Sequence, residues 1–399
     1  ITLMSKSNNN LNLERNFIHW NWMRAVLHNG WWLVTSLYLV VNGQLTASQL
    51  VYIGVFQGII SFIFEVPAGV VADTFSRKWS LVISQLLMGT AMIATGLVTS
   101  FPLIVLTQML WGISWTFASG ADVAYVTDEL NQPEKIDRVL TRAARARLWG
   151  SAVGLIAVGL LAWATSLSTA MITAGVLMAT LGIYVATLFH EHRFVRTHTQ
   201  RWLTSWNIFK DGISLVKKSR VILVVFVATF LVDGSSEAGR LFPKQLVDIG
   251  FPAHITPVVW LTALSVVTLL VGIPALRIVE ARVHKLNVAR IDYALAGLVG
   301  VVGLIILAMA PSAIVGSAGI LLFSGIAVPL TSTLASIQVN RATSDNVRAT
   351  VHSFLAQAEY LGEVFCGFGI GLIAKATNLP GALVACAALM GAASLIMLR

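Results

Sequence analysis

Residues 64–78 read Phe64-Glu65-Val66-Pro67-Ala68-Gly69-Val70-Val71-Ala72-Asp73-Thr74-Phe75-Ser76-Arg77-Lys78. An apolar run ends there in an acid and a basic pair, and a second apolar run begins at Trp79. Two membrane helices joined by a short polar turn fit this pattern, since ~20 apolar residues cross a ~30 Å hydrocarbon core. Outward from the turn, apolar stretches lie near 20–42, 49–72, 79–98, 102–126, 145–165 and 168–189. Six more lie near 221–243, 256–279, 288–310, 313–337, 350–374 and 379–398. They take up nearly all of the 399 residues, so the fold class is all-α, with twelve transmembrane helices. Composition agrees: 56% hydrophobic and 11% charged residues, with a mean hydropathy of +0.79, would aggregate in a water-soluble chain.

Lys and Arg crowd into every second connection. With the N-terminal tail counted as side one, 24 basic residues fall on that side, leaving only Arg240, Lys244 and Lys375 for the other. Basic loops resist translocation, so the rich side is expected to be cytoplasmic, with both termini inside the bacterial inner membrane. The net charge of +9 then belongs to loops beside anionic lipid, and no nucleic-acid partner is expected. Cys366 and Cys386 lie in apolar stretches, which argues against a disulfide framework. Residues 1–19 form a polar, Asn-rich cytoplasmic tail without a cleavable signal pattern, and Met4 reads as a native start.

The longest connection, 190–220, is basic and Trp-containing and is expected to lie at the cytoplasmic interface. It separates a bundle at 20–189 from a bundle at 221–399, and the two echo each other. A shift of 207 residues sets Pro67-Ala68 on Pro274-Ala275, Asp73 on Glu280 and Lys78 on Lys285. A shift of 212 sets Gly150 on Gly362, Gly159 on Gly371 and Ala162 on Ala374. Two echoes in one order predict a parallel repeat of six helices, an architecture that rocks about a midplane site.

Gly69, Asp73 four residues later and the basic pair Arg77-Lys78 resemble the signature of the major facilitator superfamily. The resemblance covers essentially the whole chain and implies two six-helix bundles working by alternating access, with helices 1, 4, 7 and 10 lining a cavity. It also implies that Asp73, Arg77 and Lys78 form a gating latch; read without it, they are topology anchors. The Phe64-Glu65-Val66-Pro67-Ala68-Gly69 run looks like that of bacterial proton-coupled, multidrug exporter-like members. Three departures bear on the subclass: Thr74 and Ser76 replace the usual Arg and Gly, Gln108 stands where many proton-coupled members carry Arg, and helix 5 lacks Pro.

Charges inside a span are costly and normally face a cavity or a partner. Six acids qualify as proton-coupling candidates: Glu65, Asp122, Asp233, Glu237, Glu359 and Glu363. Asp233 and Glu237 are four apart, as are Glu359 and Glu363, so each pair is expected on one helical face. Such carboxylates cannot all be charged cheaply, and one of them can load and release a proton. Plain ion pairing with Arg240, Arg147 or Arg348 is the competing reading.

Polar and aromatic stripes mark the candidate cavity walls. Helix 1 offers Arg24, His28, Trp31, Thr35 and Tyr38; helix 4 offers Gln108, Trp111, Trp115, Ser119 and Asp122; helix 7 adds Phe226 and Phe230 before Asp233, Glu237 and Arg240. Helix 10 gives a weaker stripe of Ser324, Ser332 and Ser336. His28 is either a titrating group or a hydrogen-bonded structural one. Aromatic walls with surplus carboxylate suit lipophilic cations.

The expected protein is a secondary transporter that exports amphipathic, drug-like, cationic or zwitterionic small molecules in exchange for protons. Its alternative is a symporter or importer for a specific polar solute. A third reading, a receptor or scaffold, gives no reason to keep six intramembrane acids. Without a phosphate-binding loop, a nucleophile elbow or a His/Cys pair at ligand spacing, neither enzyme activity, a cofactor nor a bound metal is expected. The expected partners are a small-molecule substrate, protons and membrane lipids, around a monomer.

Overall fold

The computed structural model describes residues 2–196, 219–282, 288–343 and 345–398, and every regular element among them is helical. The first part of the chain forms α1 (Thr2–Val41), α2 (Ala47–Thr74), α3 (Arg77–Leu97), α4 (Phe101–Ala118), α5 (Ala121–Leu130), α6 (Pro133–Ala164) and α7 (Leu167–Leu188). After the central connection come α8 (Arg220–Ser235), α9 (Ala238–Ile249), α10 (Pro257–Arg282) and α11 (Val288–Ala308). The remainder is α12 (Ala313–Ile320), a π-helical segment (Leu321–Ala327), α13 (Val328–Ala342), α14 (Asp345–Ala376) and α15 (Leu379–Met397). Most of the 190–220 connection, together with Lys285 and the Arg348 side chain, lies outside the described residues.

These pieces make twelve spans. Ten are long and apolar enough to cross a membrane. The other two, α1 and α14, have 40 and 32 residues but carry Arg24 and His28, and Glu359 and Glu363. Three expected single helices, 102–126, 221–243 and 313–337, are interrupted, each for a local reason. Gly120, at a φ of 72°, parts α4 from α5, a backbone state that glycine adopts without strain. Between α8 and α9 the ladder tightens: Gly239 N donates to Ser236 O at 2.8 Å and Arg240 N to Glu237 O at 2.9 Å. The π-helical widening ends just before Pro329, which has no N–H to give the ladder.

The chain divides into two compact units, Ile1–Tyr38 with Ile60–Arg201 and Leu39–Ile59 with Trp202–Arg399. The stretch Leu39–Ile59, part of the 20–189 bundle expected from the sequence, thus clusters with the second unit. Its small residues account for this: Gly54 lies against Arg240 and Glu237, and Gly58 against Glu363 and Val364.

In the first unit α3 packs between α4 and α7, where Gly89 meets the α7 backbone at Gly175 and Ala179. In the second unit α8 packs on α14 and α15, and α11 on α15. The repeat is visible as a shared contact. A Cβ on Gly150 of α6 would strike the Trp22 carbonyl of α1, and one on Gly362 of α14 would strike the Phe230 carbonyl of α8. One turn along, the bulk changes sides: Gly154 lies under the Val26 backbone, whereas Cys366 fills the space beside Gly234. Close backbone approach through small residues is how apolar helices gain contact in lipid.

Candidate functional site

The first unit gathers an aromatic cluster around His28. Its ring centroid lies 5.3 Å from Trp111, 5.5 Å from Trp115 and 6.5 Å from Trp32. Trp111 and Trp115 stack at 5.7 Å, as residues four apart on one helix can. Buried nitrogens of His28, Trp31 and Trp111 and the Thr35 hydroxyl have no hydrogen-bond partner among the described residues. The cluster already holds a cation, since the Arg24 guanidinium carbon sits 4.8 Å from the Trp115 ring and 5.4 Å from the Trp20 ring. A positive charge therefore stands against these aromatic walls. Tyr38 is spent on structure: its hydroxyl donates to the Val98 carbonyl at 2.9 Å.

Two of the six acids serve the α4–α5 break. Asp122 lies in the first turn of α5 and accepts from the Val123 N–H at 2.7 Å. Glu65 accepts from Ser119 at 3.0 Å, just before the break. Arg147 donates to Asn21 at 2.9 Å, not to an acid as the ion-pairing alternative supposed. Gln108 donates to Thr95 at 3.1 Å in a fully buried contact.

The α2–α3 turn is more heavily bonded than its basic pair suggested. Arg77 pairs with Asp128, lies 3.6 Å from Asp73 and donates to the Ala124 carbonyl at 3.1 Å. Glu191 accepts from the Ser76 hydroxyl and from the Arg77 and Lys78 N–H groups at 2.9 and 3.2 Å. A carboxylate at a helix N-terminus is favoured by the helix dipole. Glu129 likewise accepts from the His192 and Arg193 N–H groups. Sequence reasoning missed Asp128, Glu129 and Glu191 because acids near span ends look like ordinary loop charges.

The second unit holds the charged cluster. Arg240 Nε lies 3.3 Å from Glu237, and its Nη2 donates to Glu363 at 2.7 Å and to Gln57 at 2.9 Å. Glu237 is 3% exposed, yet it sits in the tight turn between α8 and α9. The single helical face expected for Asp233 and Glu237 is therefore broken, and the two acids occupy different surroundings. Asp233 and Glu359 line a cavity of about 130 Å³, along with Ser332 and Ser336 of the weak helix 10 stripe. Ser324 falls in the π-helical segment, and Phe230 meets Gly362 through its carbonyl. Gln57 and Tyr293 were missed, though an amide and a buried phenol inside apolar runs are legible by the same rule that found the acids. Among the described residues no group of three or more His, Cys, Asp or Glu gathers to hold a metal.

Twelve spans with charged and aromatic clusters held inside them define a multi-pass membrane carrier. Residues 22–366 match the Major Facilitator Superfamily, and the chain belongs to that family. It shares 22% identity over 348 residues with an uncharacterized MFS-type transporter, YxaM of Bacillus subtilis (strain 168), covering 84% of this chain and 83% of that protein. Among solved structures it resembles a mutant form of the nucleoside transporter NupG, with a TM-score of 0.80 and 14% identity over 97% of this chain and 99% of that one. A D-xylose–proton symporter gives a TM-score of 0.69 at 14% identity, over 98% and 96% of the two chains.

Proposed function

We propose that this transporter of small molecules exports amphipathic, cationic or zwitterionic compounds in exchange for protons. The observation that carries the reading is the Arg240 network: one guanidinium serves two carboxylates, the buried Glu237 and the half-buried Glu363. One positive charge cannot neutralise both acids, so protonating one of them relieves the excess at low cost. That gives the second unit a proton to exchange. The first unit contributes the aromatic wall of His28, Trp31, Trp111 and Trp115, which suits flat or lipophilic substrate parts. Asp73 and Arg77, bonded at the α2–α3 turn, act as the gate, and both termini are cytoplasmic.

Purified protein in liposomes with an imposed pH gradient tests the coupling. Glu237→Gln and Glu363→Gln are each expected to abolish uphill export, with at least one variant still binding substrate. Should both variants pump as well as the parent, coupling lies elsewhere. Asp73→Asn is expected to slow transport while equilibrium affinity holds. Single cysteines at Ser48, Thr99 and Ser312, with Cys366 and Cys386 replaced, should label from outside intact cells, and one at Asp137 only after permeabilisation.

Import of a polar solute is the second reading. It is favoured by Arg24 standing over the aromatic wall, which suits an anionic or hydrogen-bonding solute better than a cation. The D-xylose–proton symporter among the similar structures points the same way. Resistance and uptake screens of cells with and without the protein, repeated with the proton gradient collapsed, separate the two directions.

A further inference from the structure

The cavity of about 130 Å³ in the second unit is bounded by α8, α11, α13 and α14. Its wall is rich in oxygen: carboxylates from Asp233 and Glu359, and hydroxyls from Thr229, Tyr293, Ser332 and Ser336. Neither Asp233 nor Glu359 has a salt-bridge partner among the described residues, unlike Glu237 and Glu363 a turn away. Tyr293 is 1% exposed, and its hydroxyl finds no hydrogen-bond partner among the described residues. A phenol that deep in an apolar bundle normally finds a partner. Val232, Asp233 and Ser236, at the C-terminal end of α8, also line the cavity.

We propose that this cavity binds a small hard monocation, specifically sodium, separately from the proton site at Arg240. Each observation narrows the ligand. Among the described residues no Lys or Arg lines the cavity, and its two carboxylates favour a cation over an anion. Among the described residues the donors are oxygens, without His or Cys, which disfavours transition metals. Calcium prefers six to eight oxygen ligands with several carboxylates, more than two acids provide. Among the described residues Tyr293 is the only aromatic on the wall, too little for a ring cage around a methylated ammonium. The contributors come from four helices, and a bound ion would draw α8 towards α13 and α14.

The test uses the full-length protein in detergent at constant ionic strength, with radioactive sodium as the probe and potassium, methylammonium and choline as competitors. Saturable sodium binding that choline does not displace is expected. Asp233→Asn and Glu359→Gln should each remove it, while Tyr293→Phe, which keeps the packing, should weaken it about tenfold. Glu237→Gln should leave it in place, which separates this site from the proton site: loss of pH-driven transport with sodium binding intact would fail only the proton reading. Size-exclusion profiles matching the parent confirm that the variants are folded. Absence of saturable sodium binding, or binding unchanged by Tyr293→Phe and by both acid variants, would overturn the proposal. So would displacement by methylammonium at far lower concentration than sodium, which would make the cavity a seat for a primary ammonium.

Discussion

The same helix contact is built twice, and its neighbourhoods differ in chemistry. Gly150 shifted by 212 residues falls on Gly362, and its contact Trp22 shifted by 208 falls on Phe230. The shift of 208 sets Ala25, Asn29 and Trp32 opposite Asp233, Glu237 and Arg240. The first unit spends the face on a methyl group, an amide and an indole ring, the second on two acids and the base that holds one of them. The small-residue contact is thus the shared scaffold, and the residues a turn away are free to diverge. An aromatic face can hold many shapes by dispersion, whereas a charged one must balance its ions. Under the proposed function, recognition and energy coupling fall on different units for that reason.

Breaking the charge balance should have the largest effect. Arg240→Met leaves Glu237 and Glu363 facing each other uncompensated, at a cost of about 3–5 kcal/mol. Thermal unfolding in detergent should show the loss, and adding Glu363→Gln should recover part of it. Trp32→Met, the corresponding change in the first unit, strands no charge and should cost clearly less. Equal losses would show that ion balance does not distinguish the two faces.

Gly150→Val and Gly362→Val probe what the units share. Each pushes a side chain into a carbonyl of the facing helix, and overpacking of this kind costs about 1–3 kcal/mol. Similar midpoint shifts for the pair are expected; a shift in only one would break the equivalence of the contacts. Trp115→Ala strips Arg24 of a ring, a loss of about 0.5–2 kcal/mol. Substrate affinity should fall severalfold while the number of protons exchanged per substrate stays constant. A changed stoichiometry would mean that recognition and coupling are not divided between the units. Tyr38→Phe should have the smallest effect, about 1 kcal/mol of stability from its bond to Val98 with transport intact. A transport defect would return Tyr38 to the binding site.

The spans and the repeat were legible because lipid leaves helices as the economical solution for a long apolar run, and because Gly150 and Gly362 must both be small. The charged cluster was legible in part, since buried acids stand out in apolar sequence. Which acid meets which base was not. Spacing of four suggested that Asp233 and Glu237 act together, but the turn at Ser236 sends them apart, and Glu363 takes the place beside Arg240. Gln57 stands out as an amide in an apolar run, but it comes from α2, far away in sequence, and no local pattern pairs it with Arg240. Helix breaks are similarly quiet: Gly120 is one glycine among 31, and only its positive φ singles it out.

The assignment of Leu39–Ile59 to the second unit bears on how the chain is made. Translation delivers the first unit early, and its polar turns are closed by Glu129 and Glu191, all synthesised before residue 194. The N-terminal half of α2 must wait. Tyr52 packs on Phe368 and Gly371, and Gln57 on Arg240, so these partners leave the ribosome roughly 180–320 residues later. Until then the Gln57 amide sits in lipid without its guanidinium, a state that calls for temporary company from the insertion machinery. A photocrosslinker at Tyr52 in ribosome-bound chains ending near residue 210 should capture such a companion and lose it in the full-length protein. Capture that persists in the finished chain would mean that this hairpin never settles against α14.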